Sequence, residues 1–172
     1  MKRSFLSPLA LPALLTAFVV ATPSYAQDAT VSSAEDKAQA LALVQQLEAD
    51  PLASGADNSR QWLTNFIVNA PDLFISTCPE LLGALNGQGK NGAPEIIGQL
   101  YFGNAAFAIQ NPDKASDREA MYAAGIESTL RLYASLLKAK PRWRWPILDK
   151  LRSRAKDGTL IEYVRENIGA CQ

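Results

Sequence analysis

The segment from Pro94 to Gln110 is apolar on almost every side of a helix, and this feature constrains the fold more than any other. Its apolar residues are Ile96, Ile97, Leu100, Tyr101, Phe102, Ala105, Ala106, Phe107 and Ile109. A helix with so little polar surface has to be covered by other elements on all sides. The sequence therefore predicts a central helix over 94–110, with the rest of the domain arranged around it.

The remaining chain has the pattern of helices that surround such a centre. Apolar residues recur three and four positions apart, and the alternation typical of strands is scarce. Asp57 is a predicted N-cap, and capping boxes begin at Thr77, Ser116 and Thr159. We expect an all-α fold, a single compact bundle of six to seven helices. The predicted segments are about 33–49, 57–70, a short one that starts at 77, 94–110, 116–139, 146–156 and 159–167.

The first 26 residues have the composition of a secretory signal peptide. Two basic residues precede an apolar run over 5–21, and Ser24-Tyr25-Ala26 places small residues three and one before a cleavage point. We expect a signal peptide at 1–26, a disordered lead at 27–32 and one helical domain at 33–172. A retained N-terminal anchor is the alternative, which two prolines within the run disfavour. No second apolar stretch reaches spanning length, so we expect a periplasmic or secreted protein without a membrane span in its mature chain.

Two cysteines, Cys78 and Cys171, follow the predicted cleavage point. In an oxidising compartment an even pair most simply forms one disulfide. The chain-entropy description gives a closed loop of roughly 100 residues a stabilisation of about 4–5 kcal/mol. Two buried thiols or an intermolecular bridge are the alternatives.

Charge is distributed unevenly along the mature chain. Residues 27–130 hold five Lys or Arg against 13 Asp or Glu, whereas residues 131–157 hold nine against two. The basic stretch includes Lys-Pro-Arg-Trp-Arg-Trp-Pro, and a residue before proline is pushed out of the α region. An extended chain sends alternate side chains to opposite sides. We therefore expect one side to carry Trp143 and Trp145 and the other to carry Arg142 and Arg144.

Two interpretations of this segment remain open. In the first, a binding site consists of Lys138, Lys140, Arg142, Trp143, Arg144 and Trp145. Its partner is an unknown protein or an anionic envelope component, because arginine pairs well with anionic oxygens and tryptophan favours interfaces. In the second, the tryptophans close the corner between two helices, and the cations are solvated or paired with the acidic first half. We do not expect nucleic acid as a partner of an exported protein.

The composition disfavours most catalytic chemistry. The chain has no histidine, which removes the usual Ser-His and Cys-His nucleophiles and the common zinc sites. Carboxylate hydrolysis remains, and its candidate acids are Asp57, Asp72, Glu80 and Glu95. Each of these residues also suits a helix start, and no pair stands out. We predict no metal site and no cofactor.

The sequence thus predicts an exported helical binding or protein-interaction module without catalysis. One alternative is an anionic-surface or lipid-binding protein that uses the segment 138–146. The other is a carboxylate-dependent cell-wall hydrolase.

Overall fold

The structure, a computed structural model, describes residues 31–85 and 89–171. This part of the chain is all-α, as predicted. Its helices are α1 (Ala34–Ala49), α2 (Ala56–Asn69), α3 (Ala93–Gln110), α4 (Arg118–Ala139), α5 (Pro146–Lys156) and α6 (Leu160–Asn167). Three short 3₁₀ segments cover Pro79–Leu85, Pro112–Lys114 and Ile168–Ala170. The predicted signal peptide and residues 27–30 of the predicted lead lie outside the described residues.

Helices α3 and α4 form the centre of the bundle, and two glycines let their backbones meet. A Cβ atom added to Gly103 would lie 2.5 Å from Ser128 Cβ, and one added to Gly125 would overlap Asn104 Oδ1. Because interiors are close-packed, neither position has room for a larger residue. The prediction that the segment 94–110 is central is confirmed.

The core has two parts that meet at α3. One joins α1 and α2 to Phe102 of α3, through Ala40, Val44, Leu47, Ala56 and Leu63. The other joins α3 and α4 to the segment Pro79–Leu85, α5 and α6, and its largest buried members include Tyr122 and Tyr133. Helices α1 and α2 therefore belong to one part of the core, and α5 and α6 belong to the other.

Two predicted helix starts differ in detail from the structure. Asp57 is not an N-cap: α2 begins after Gly55, whose φ of 93° suits glycine, and Asp57 pairs with Arg60 in the first turn. The N-cap of α4 is Asp117, whose carboxylate accepts a backbone amide of the first turn, rather than Ser116. Neighbouring polar residues compete for such positions, and the sequence pattern alone ranked them wrongly.

The segment predicted as a helix from Thr77 is a 3₁₀ segment that breaks at Gly83, where φ is 56° and ψ is −129°. Its three leucines are buried as predicted, at Leu81, Leu82 and Leu85. Thr159 does precede α6, but its hydroxyl donates to the Arg154 carbonyl and does not cap the helix.

The predicted disulfide between Cys78 and Cys171 is confirmed, with the sulfur atoms 2.02 Å apart. It ties the end of the described chain to the start of the segment Pro79–Leu85. Tyr163 of α6 reinforces this connection, because its hydroxyl donates to the Leu81 carbonyl at 2.8 Å. Helix α6 and the 3₁₀ segment after it are therefore held to the middle of the chain both covalently and by a buried hydrogen bond.

Candidate binding site at the basic corner

We call residues 138–146, which connect α4 to α5, the basic corner. Helix α4 ends at Ala139, since Pro141 follows and cannot continue it. The chain turns at 141–142, is extended at Trp145, and enters α5 with Pro146 as its first residue. The predicted alternation is present, with Trp143 and Trp145 half-buried and Arg142 and Arg144 exposed.

The fold anchors both indoles of the basic corner. Trp145 Nε1 donates to the Asn91 carbonyl at 3.0 Å, and the Trp145 backbone amide donates to Tyr133 Oη at 2.8 Å. The Trp143 ring lies against Gly92, where an added Cβ atom would come within 3.0 Å of it. Gly92 has a φ of 74°, a conformation in which glycine is unstrained. The two rings are therefore fixed walls of the corner.

Three of the six predicted binding residues line one surface depression of about 410 Å³, namely Lys140, Arg142 and Trp143. Lys140 Nζ lies 5.9 Å from the centroid of the Trp143 ring, within the range of a cation–π contact. Lys138, Lys140 and Arg142 are exposed, and none forms a salt bridge with another described residue. The depression thus combines unneutralised cations with an aromatic wall.

Arg144 has a different environment from the other corner cations. Its Nη2 and Nε donate to Asp149 Oδ2 at 2.9 and 3.2 Å, and this carboxylate raises the pKa of the Arg144 guanidinium. Tyr133 Oη donates to Asp149 Oδ1 at 3.4 Å, and burial raises the pKa of the Tyr133 hydroxyl. Arg144, Asp149 and Tyr133 therefore form one cluster, which also accepts the Trp145 backbone amide and fixes the corner.

A second depression, of about 340 Å³, lies in the seam between α4 and α5, and we call it the α4–α5 groove. Its lining residues are Glu127, Leu130, Arg131, Ala134, Arg152 and Ala155. Arg131 Nε and Nη2 donate to the Glu48 carboxylate at 2.7 and 2.9 Å, and this contact raises the pKa of the Arg131 guanidinium. Arg152 is exposed and forms no salt bridge within the described part of the chain. Sequence reasoning missed this groove because its two arginines lie on different helices.

A chain of polar side chains connects Arg131 to the interior of the bundle. Gln99 Nε2 donates to Ser128 Oγ at 2.8 Å, and Ser128 Oγ donates to Glu48 Oε1 at 2.6 Å. Gln99 and Ser128 are inaccessible to solvent, and only 12 % of the Glu48 side chain is exposed. The carboxylate that holds Arg131 is therefore itself held from inside the bundle. In the sequence, the one signal for this network was Gln99, a polar residue within the central apolar helix.

The structure does not assemble the acids considered for hydrolysis. None of the four depressions described for this protein is lined by two of them, Asp57, Asp72, Glu80 and Glu95. Asp72 accepts Lys37 Nζ at 2.6 Å and the Ser32 backbone amide at 2.9 Å. The hydrogen bond from Lys37 holds the pKa of Asp72 well below its usual range. Asp72 stays ionised at neutral pH and so is unsuited to act as a general acid.

Within residues 31–85 and 89–171, no three His, Cys, Asp or Glu side chains are grouped so as to hold a metal ion. None of the helices in this part of the chain is both long and apolar enough to cross a membrane. Comparisons of the chain with family models, with curated proteins and with solved structures give no match. The described side chains are therefore the basis for a functional assignment.

Proposed function

We propose that this protein is an exported protein-interaction module that binds an acidic side chain of a partner protein at the basic corner. The observation that carries the proposal is the convergence of Lys140, Arg142 and the Trp143 ring on one depression. A carboxylate that enters a concave site is partly shielded from water, so its attraction to the two cations exceeds that of a fully solvated pair. Arg142 also offers the planar donor fork that matches a carboxylate.

Two features favour a protein partner over a lipid surface. Tryptophans that anchor a protein to a membrane project into the interface. Trp143 and Trp145 instead pack against the core, and the indole N–H of Trp145 is already bonded to Asn91. The cations also line a concavity, which a partner's side chain can enter more readily than a flat array of headgroups can.

Export is the part of the proposal that rests on the N-terminal sequence. The signal-like pattern of residues 1–26 supports it, and so does the Cys78–Cys171 bond, because structural disulfides persist in oxidising compartments. Export would place the basic corner among the envelope proteins that supply its partner.

The test is a titration of the ¹⁵N-labelled mature chain with a short peptide that carries two adjacent glutamates, followed by NMR. We expect shifts at the Trp143 indole and at the Lys140 and Arg142 amides, and their loss in Lys140→Glu/Arg142→Glu. The control, Lys114→Glu/Lys150→Glu, makes the same change in net charge at exposed cations outside the corner.

Equal losses in the corner variant and in the control would show that diffuse charge attracts the peptide, which contradicts a site. Sedimentation with phosphatidylglycerol vesicles in the absence of any peptide-induced shift would favour the lipid-binding alternative and overturn the proposal.

A further inference from the structure

We infer that the partner segment carries an aromatic side chain two residues from its acidic one, so that the ring packs against Trp143 while the carboxylate meets Lys140 and Arg142. This inference rests on the proposed function and specifies the partner's sequence. It follows from four features of the depression at the basic corner: its charge, its size, its apolar lining, and the distance between its cation and its ring.

The depression carries positive charge that its described lining does not offset. The described lining residues are Ala139, Lys140, Pro141, Arg142 and Trp143, and none of these is acidic. Lys140 and Arg142 form no salt bridge with another described residue. An anionic group of the partner is therefore complementary to this site.

The depression is larger than a carboxylate needs. Its volume is about 410 Å³. A carboxylate has two oxygen atoms and takes the space of about two water molecules, or roughly 60 Å³ of liquid volume. Room therefore remains beside the carboxylate for a second side chain of the same partner.

The lining beside the two cations is apolar and includes an aromatic ring. Ala139 and Pro141 are exposed, and Trp143 is half-buried. A partner's aromatic ring gains more at Trp143 than an aliphatic side chain does, because the quadrupoles of two rings attract in offset or edge-to-face arrangements. It would also offer a second π face to the Lys140 ammonium, which already lies within cation–π range of Trp143. An aromatic residue is therefore the best match for the remaining space.

The cation and the ring of the site belong to one turn of the chain. The Trp143 backbone amide donates to the Lys140 carbonyl at 3.0 Å. The Trp143 ring lies against Gly92, where an added Cβ atom would come within 3.0 Å of it. A ring that is already immobilised loses little freedom when a ligand packs on it.

The spacing within this turn selects the spacing in the partner. Lys140 Nζ lies 5.9 Å from the centroid of the Trp143 ring. In an extended segment, side chains two residues apart point to the same side and are about 6.6 Å apart, whereas adjacent side chains point to opposite sides. Side chains four residues apart share a side but are about 13 Å apart, which is too far. The matching partner therefore has its aromatic residue two positions from its acidic residue.

The experiment measures the Kd of four fluorescent peptides for the mature chain by anisotropy. The first is the peptide with two adjacent glutamates, flanked by serines, and the second has phenylalanine two residues before the first glutamate. We expect this phenylalanine to lower the Kd by about two- to tenfold, the effect of one aromatic pair. In the third peptide the phenylalanine is three residues before the first glutamate, and its Kd should stay within about twofold of the first. In the fourth, leucine replaces the phenylalanine of the second peptide and should give less than half of its gain.

Two variants locate the ring contact on the protein. Trp143→Leu should remove the gain from phenylalanine and leave the Kd of the first peptide within about twofold. Trp145→Leu is its matched control, since Trp145 belongs to the same corner but is not among the described residues that line the depression, and it should preserve the gain. Urea unfolding checks that both variants fold. A measurement on the unaltered chain is independent of folding: nuclear Overhauser contacts should join the phenylalanine ring of the second peptide to the Trp143 ring.

The outcomes distinguish this inference from the proposed function. If none of the peptides binds, the basic corner is not a site for acidic segments and the proposed function is wrong. If the first peptide binds but phenylalanine adds nothing, adds as much in the third peptide as in the second, or adds no more than leucine, only this inference is wrong. The same holds if the gain survives in Trp143→Leu or if no Overhauser contact reaches Trp143.

Discussion

Gly103→Ala is the substitution that tests the central packing most directly. The added Cβ atom would lie 2.5 Å from Ser128 Cβ and 3.0 Å from Gly125 Cα. Carbon atoms in contact are about 3.5–4.0 Å apart, so α3 and α4 would have to separate by about 1 Å. Neither atom can turn away, since one is backbone and the other is bonded to backbone. Overpacking of this kind costs about 1–3 kcal/mol, and a clash with backbone belongs at the upper end.

The helix propensity of alanine offsets part of this cost, by about 1 kcal/mol relative to glycine. We therefore expect Gly103→Ala to lower the free energy of unfolding by about 2 kcal/mol. Gly98→Ala, in the same helix, is the matched control. The nearest atom to its added Cβ would be Phe102 Cε2 at 3.7 Å, an ordinary contact. It should therefore be neutral or stabilising by up to about 1 kcal/mol.

Urea unfolding followed by far-UV circular dichroism measures both variants, and the slope m checks that each unfolds in one transition. The midpoint of Gly103→Ala should fall below that of the wild type, and the midpoint of Gly98→Ala should not. If the two variants were equally stable, the close approach of α3 and α4 would be wrong as described.

Three further predictions concern single contacts. Tyr133→Phe removes the acceptor of the Trp145 amide, so it should lower the free energy of unfolding by about 1–2 kcal/mol, as measured by urea unfolding. It should also weaken the binding of the two-glutamate peptide. Unchanged stability would contradict the role of the corner cluster. Asp72→Asn removes a carboxylate whose pKa is lowered by Lys37. The stability that Asp72 contributes is present above its unfolded pKa, near 4, and is lost as the pH falls towards its folded pKa, so the variant should lose less stability than the wild type between about pH 5 and 2. If the variant and the wild type lost the same stability over this pH range, the ion pair between Asp72 and Lys37 would be excluded. Cys78→Ser/Cys171→Ser should cost about 4–5 kcal/mol in guanidinium unfolding, and a loss under about 1 kcal/mol would show that the C-terminal end is held without the bond.

Local patterns in the sequence were enough to predict most helices. Helix α5 has the predicted bounds, Pro146 to Lys156, because proline marks its start and a glycine follows its end. The short helix predicted from Thr77 is present as the 3₁₀ segment Pro79–Leu85, but the prediction did not include its break at Gly83, where φ is positive. Periodicity describes neighbours three and four residues apart, and it carries no information about such a break.

The candidate site, too, was predicted from the sequence only in part. The sequence located the basic corner and the alternation of its tryptophans and arginines. It did not distinguish Arg144, which Asp149 neutralises, from Arg142, which stays exposed. Nor did it indicate the α4–α5 groove, in which Arg131 depends on a carboxylate from α1.

By itself, the sequence determined the helical class and the central position of the segment 94–110, and it favoured the pairing of Cys78 with Cys171 over two free thiols or an intermolecular bridge. Each of these follows from spacing along the chain or from there being only two cysteines. Only the tertiary structure decided which cations are neutralised and which face solvent together. The physical reason is that these interactions join residues far apart in sequence, such as Glu48 and Arg131, whose distance is set by the packing of α1 against α4.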